Sequence, residues 1–214
     1  MAAAHRQLAE VGAAAISLRS IAREVGMVSS AVYRYVESRD DLLTRLIVEA
    51  YDALGEVAEH ATAEHVGATD LDRWVATTGA IRSWALEHPH QYLLLYGSPV
   101  PGYAAPDDTV VPGTRVTFAL VAIVRDAHAA GRLDPPATDP LTIRATLTGD
   151  LDRLNGLTGL AVGVDTTLAF LAAWTQMFGL ISFELTSQTR GMVEHHAELF
   201  EATTRLGADR IGLR

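Results

Sequence analysis

The chain has 214 residues, no cysteine and a formal net charge of −9, with 49% hydrophobic and 20% charged residues. That length suits one compact domain or two small ones with a real core, and the missing thiols exclude a disulfide framework and a thiolate zinc site. Residues 1–50 carry six arginines against six acids and residues 51–214 eleven against twenty, so the excess negative charge lies in the second part, and no lysine shares the cationic roles.

The opening run MAAAHRQLAE lacks the basic start and apolar core of a secretory signal, and later apolar stretches are cut by charge or glycine before they reach spanning length. A soluble, cytoplasmic chain without membrane contact is the expectation. Helical periodicity then runs almost throughout. The first helix is expected to begin almost at Met1, with no basic arm ahead of it to reach a minor groove. Leu18, Ile21, Ala22 and Val25 recur at i, i+3, i+4 and i+7, with Ser17 placed to accept a backbone N–H at the helix start and Gly26 to stop it. A second short helix is expected over 29–35, with Met27, Val32 and Val36 inward.

The third helix of this group starts at Ser38, where Ser-Arg-Asp-Asp supplies a capping box, and runs through Leu42, Leu46, Ile47, Ala50 and Leu54 to about residue 64. Residues 71–87 form the next helix, ended by His88-Pro89 because proline disfavours a helical residue before it. A short segment over 91–96 follows. Residues 97–113 hold four prolines and three glycines and read as a loop. Helices over about 114–130, 139–160, 166–187 and 191–206 complete an all-α chain without a persistent strand pattern.

Two short helices joined by a glycine turn, the second with a small, polar, aromatic and cationic outer side, are what a helix-turn-helix requires. With Val32 and Val36 inward, Ser29 pairs with Tyr33 and Ser30 with Arg34 at i and i+4 on the outer side. Small residues at the tip let the backbone approach a groove floor, while the tyrosines and arginines flank it at a distance suited to phosphates and base edges.

The run IAREVGMVSSAVYRYVESRDDLL resembles the N-terminal helix-turn-helix of the tetracycline-repressor (TetR) family of transcriptional regulators. The family pattern there is I-A, then G-V-S, then L-Y-x-H-F, then S-K and an acid before leucine. Ile21, Ala22, Gly26, Tyr33, Ser38, Asp41 and Leu42 match it, with Arg39 for the usual lysine. Val28, Ser30, Tyr35 and Val36 depart from it, and Val28 is expected to pass the helix cap to Ser29. The resemblance implies an N-terminal three-helix helix-turn-helix DNA-binding domain, residues 1–48, and a larger α-helical ligand-binding and dimerisation domain, residues 49–214. It places base-facing positions at Ser29, Ser30 and Ala31, a base-reaching side chain at Arg19, and phosphate contacts at Tyr33, Tyr35 and Arg39, with Arg34 suited to either. Backbone N–H groups near Ser17 and Leu18 are then offered to a phosphate.

The run AAWTQMFGLISFEL is similar to a subgroup of the same family with a Trp-His-Gly signature in its penultimate long helix. Trp174, Gly179 and Glu184 are in place, and Phe178 stands for the histidine. The implied partners are a double-stranded, pseudo-palindromic DNA operator, an unknown small-molecule effector and a second copy of the chain packed through the helices at about 139–160 and 166–187. No cofactor is implied. Trp84, Tyr92, Tyr96, Tyr103, Phe118, Trp174, Met177 and Phe178 are candidates to line the effector cavity, against the plainer reading of ordinary core. The expected function is a ligand-responsive homodimeric repressor, with the helix that starts at Ser38 as the lever between the domains. A histidine-based metal sensor is the alternative, using His60, Glu64 and His65, His88 and His90, or His195, His196 and Glu198. No phosphate loop, G-x-S-x-G turn or H-E-x-x-H supports an enzyme on a helical bundle.

Overall fold

The structure, a computed structural model, describes residues 1–135 and 144–214; among these it is helical, with only an isolated bridge between Val66 and Ala68 outside helices and turns. Four helices make the N-terminal head. The first, α1 (Ala2–Ala15), breaks at Gly12, and α2 (Leu18–Glu24), α3 (Ser29–Val32) and α4 (Arg39–Glu64) follow. Their apolar stripes meet in one core: Ala3 and Ala4 of α1, Leu18, Ile21 and Ala22 of α2, Val32 and Val36, and Leu42, Leu43 and Leu46 of α4. Met27 is only partly buried against it.

Local chemistry fixes the joints of the head. Gly26 lies at φ 69°, a left-handed conformation that a side chain would resist, and Met27 N–H reaches back to the Ala22 carbonyl at 2.8 Å to close α2. Ser17 stands at the N-cap of α2 but its hydroxyl caps nothing; its own N–H donates instead to Oε1 of Gln7 at 3.2 Å, a buried amide that needs a donor. The second helix is shorter than its pattern. After Val32 the chain tightens, Arg34 N–H bonding to Ala31 O and Tyr35 N–H to Val32 O, so residues 33–35 form a turn. The N-cap of α3 is Val28 rather than Ser29. At α4, Ser38 Oγ accepts the Asp41 N–H at 3.0 Å, while Asp41 Oδ2 takes the Glu37 N–H at 2.8 Å, one residue before the partner of a regular capping box.

The body consists of α5 (Asp70–Glu87), α6 (Pro89–Tyr96), α7 (Val110–Ala129), α8 (Ala145–Thr158), α9 (Val164–Leu185) and α10 (His196–Ile211). Its core gathers Leu54 of α4, Trp74 and Ile81 of α5, Tyr92 of α6, Leu120 and Ile123 of α7, Phe170, Met177 and Ile181 of α9 and Phe200 of α10. Some expected boundaries move. A 3₁₀ turn at Asp107–Thr109 leads straight into α7, because Pro112 falls in the first turn, where a missing N–H costs nothing; the loop is therefore shorter than 97–113. The expected start of α8 near residue 139 lies outside the described residues. Turns at 186–192, with Ser187 at φ 57°, and irregular backbone to His195 separate α9 from α10, which starts at His196 and runs on to Ile211, past the expected end at 206.

By length and composition α9 could cross a membrane, having 22 residues with a mean hydropathy of 1.4 in its most apolar window. In the fold Phe170, Met177 and Ile181 pack into the body core. Arg82 of α5 holds the same helix through a bidentate bond to Glu184, at 2.8 and 2.5 Å, and lies over the Phe200 ring.

Candidate nucleic-acid interface and effector site

The head leaves most of the expected DNA-facing residues exposed, although Tyr35 lines a separate groove with Met1 and Arg6. Ser29, Ser30, Tyr33, Arg34 and Tyr35 are all exposed, Tyr33 at 49% and Tyr35 at 67%, and Ala31 is half-buried. Arg19 is exposed on α2, whereas the Leu18 side chain belongs to the core and the Ser17 N–H expected to meet a phosphate is taken by the Gln7 side chain. Ser17, Leu18, Arg19, Tyr33, Ser38 and Arg39 line an open groove of about 480 Å³ between α2 and the start of α4.

Acids and cations share this side: Glu37 lines the groove beside Arg39, and two neighbouring acids are held in ion pairs. Glu24 is held by Arg6 at 2.6 Å, and Asp41 by Arg45 at 2.9 Å. The Arg45 bond, helped by the Glu37 N–H, holds the Asp41 carboxyl below the ordinary aspartate value. Arg19 and Arg34 take part in no ion pair among the described residues. Arg39 is different. Its Nη2 donates to the carbonyls of Ala13 and Ala14 at 3.1 and 3.0 Å, so this guanidinium first closes the end of α1 and only its remaining donors are available to the groove.

The body aromatics divide into groups. Tyr96 of α6 lies against Phe178 of α9 with ring centroids 4.2 Å apart, Trp174 meets Phe178 edge-on at 5.0 Å, and Tyr92 is 5.1 Å from Tyr96. Tyr51 of α4, absent from the expected set, joins edge-on to Tyr96 at 6.2 Å. The Tyr92 hydroxyl donates to the Phe178 carbonyl at 3.0 Å, and burial pushes it up to about 12. Burial raises Tyr96 further, with Tyr51 and Tyr92 adding to the effect. Beside Phe178, the Trp174 indole N–H is buried without an acceptor among the described residues.

Met177 and Trp84 are buried core residues, Trp84 stacked on His88 at 5.0 Å. Tyr103 turns away to the head, its hydroxyl 2.9 Å from Thr44 Oγ1. Phe118 is 44% exposed, because α7 turns Val116, Ala119, Leu120 and Ile123 inward and places residue 118 off that stripe. In the sequence Tyr51 is legible only as part of the apolar run of the helix that starts at Ser38. The histidines do not converge. His60 pairs with Glu64 at 3.2 Å, His65 Nδ1 lies 2.9 Å from the Ala61 carbonyl, and among the described residues no three metal-ligating side chains come together.

A small helix-turn-helix head with free arginines at its tip, carried on a larger helical body, defines a DNA-binding transcriptional regulator. Residues 1–46 match the family described as bacterial regulatory proteins, tetR family, and residues 74–206 match the tetracyclin repressor-like C-terminal domain. The chain belongs to the TetR family of transcriptional regulators. It is 39% identical over 206 residues to the HTH-type transcriptional regulators Rv1816 of Mycobacterium tuberculosis (strain ATCC 25618 / H37Rv) and Mb1846 of Mycobacterium bovis, covering 94% of this chain and 86% of each relative. Among solved structures it is similar to the regulatory protein SCO4313, at 34% identity and a TM-score of 0.73 over 95% of this chain and 90% of that one. The TetR-family regulator PfmR of Thermus thermophilus shares the fold at 17% identity and a TM-score of 0.61, over 95% of this chain and 93% of that one.

Proposed function

We propose that this regulator is a cytoplasmic, non-enzymatic homodimeric repressor that binds a pseudo-palindromic operator and leaves it when a small molecule occupies the body. The head would span residues 1–48 and the body 49–214. The observation that carries the reading is the exposed tip of Ser29, Ser30, Tyr33 and Arg34 on a head whose last helix, α4, continues as a core element of the body. One such tip reads only a few base pairs, so a twofold dimer is needed to specify a site.

An apolar face on α8 and α9 supports the dimer. Leu157 is 78% and Phe183 55% exposed, and Ala172, Thr175 and Gly179 leave a shallow surface on which a second helix pair could pack closely. The aromatic group of Tyr96, Trp174 and Phe178 is the best-supported effector wall, because Tyr51 links it directly to α4. An effector that binds better when the two heads are badly spaced for successive major grooves shifts the population away from the DNA-bound form. Selection of bound fragments from a random duplex pool by the purified protein tests the reading. Enriched inverted repeats with half-sites about one helical turn apart are expected; no enrichment over bulk DNA would refute it.

A further inference from the structure

We propose that Val28 reads the operator by packing its methyl groups against the C5-methyl of a thymine in each half-site; the inference rests on the operator-binding reading above. Two costs meet at this residue. It is the N-cap of α3, extended at φ −69° and ψ 142°, and it supplies no side-chain cap where a serine or threonine hydroxyl would take an orphan N–H. A helix of four residues has little stability to give up. The side chain is also 71% exposed, immediately before the exposed Ser29 and Ser30. A forgone cap at an exposed apolar residue on the tip of a reading head is a local inconsistency of the kind that contact with a partner explains.

The chemistry of the tip narrows the partner. Residues 28–35, VSSAVYRY, contain no amide to pair with adenine and no acid to accept from cytosine. Arg34 is suited to guanine, and the serine hydroxyls pair with several base edges. The thymine methyl is the apolar feature of the major groove, and Val28 is the exposed apolar side chain at the start of the helix that would enter it.

Every thymine of the selected operator is replaced in turn by deoxyuridine, which removes only the methyl, and binding is measured with wild-type protein and with Val28→Ser. Wild type is expected to lose roughly three- to fourfold in affinity at one thymine of each half-site, the loss of one buried methyl-sized contact. Val28→Ser, which regains a capping hydroxyl, should melt no lower than wild type and be indifferent to the same replacement. Val28→Thr, of equal shape with one methyl fewer, should fall between and keeps the comparison readable if serine abolishes binding. Wild-type affinity unchanged at every thymine, or an equal penalty in all three proteins, overturns the assignment while leaving operator binding intact. A pool that yields no enriched sequence overturns both.

Discussion

Arg39 adds a clamp on α1 to the phosphate contact that the family resemblance implies for it. Nη2 brackets the Ala13 and Ala14 carbonyls at 3.1 and 3.0 Å, Nη1 is 3.6 Å from Asp40 Oδ1, and the side chain is 32% exposed. Hydrogen bonds from a charged group contribute about 1.5–3 kcal/mol when desolvated. With a third of the side chain in solvent, screening reduces the pair together to about 1–2 kcal/mol. In a chain of this length that is a melting shift of about 2–8 °C. A phosphate contact through the remaining donors adds about 0.9 to the log–log salt slope of DNA binding, or about 1.8 for two heads. Arg39→Ala should therefore lower both the melting temperature and the slope. Arg39→Lys, which keeps the charge and loses the fork, should lower only the first. The assays are thermal unfolding and operator titration between about 50 and 200 mM salt. A fallen melting temperature with an unchanged slope in Arg39→Ala would refute the phosphate role and leave Arg39 as a clamp on α1.

Tyr92→Phe removes a buried hydroxyl bonded to Phe178 O and should cost about 1 kcal/mol at neutral pH. Because the folded-state value is raised to about 12, the stability that the neutral phenol contributes is complete below pH 10 and lost as pH rises. Wild type should lose about 1.4 kcal/mol by pH 11, so the two urea-unfolding curves cross near there; parallel curves would rule out the burial effect. Asp41 has the opposite sign: its carboxyl is held low, so its contribution is present above the ordinary aspartate value and is lost as pH falls through the folded-state value. Asp41→Asn should flatten the acid limb of head unfolding, followed by amide exchange at the start of α4. Phe183→Glu combined with Leu157→Glu should sediment as a helical monomer with weakened operator affinity; a persistent dimer would move the interface elsewhere.

The head was legible because its signals are local. A glycine that only the left-handed turn explains, a serine three residues before an acid, and valines four apart fix α2, α3 and the start of α4 within a few residues. What escaped depends on partners distant in sequence. Nothing near Ser17 announces that Gln7 will take its N–H, and nothing near Arg39 announces two carbonyls 25 and 26 residues earlier. Prolines misled in the loop, since Pro112 breaks a helix interior but suits a first turn. The body aromatics were visible as types, but which of them meet is set by the packing of α4, α6 and α9, so nothing in the sequence put Tyr51 beside Tyr96 or turned Phe118 outward.

The same distant contacts explain how α4 serves both parts. Leu42, Leu43 and Leu46 belong to the head core, and Ala50, Leu54 and Ala58 of the same rod to the body core. Two side ties hold head to body: His5 of α1 lies 2.9 Å from Glu49 of α4 and 3.2 Å from Gln91 of α6, and Tyr103 of the α6–α7 loop reaches Thr44. Farther along, Gly55 lets α7 come so close that a methyl there would stand 2.7 Å from Arg115 Cβ. The Arg115 guanidinium bonds to Asp52 and Glu59 one turn to either side and holds the Glu59 carboxyl below its ordinary value. A displacement of α6 or α7 therefore reaches α4 at several points along its length, so the rod is more readily tilted as a unit than bent. Tilting a rod whose first turns form part of the head would move α3 with it, and in the proposed dimer a small shift at Tyr96 would then change the spacing of the two reading tips.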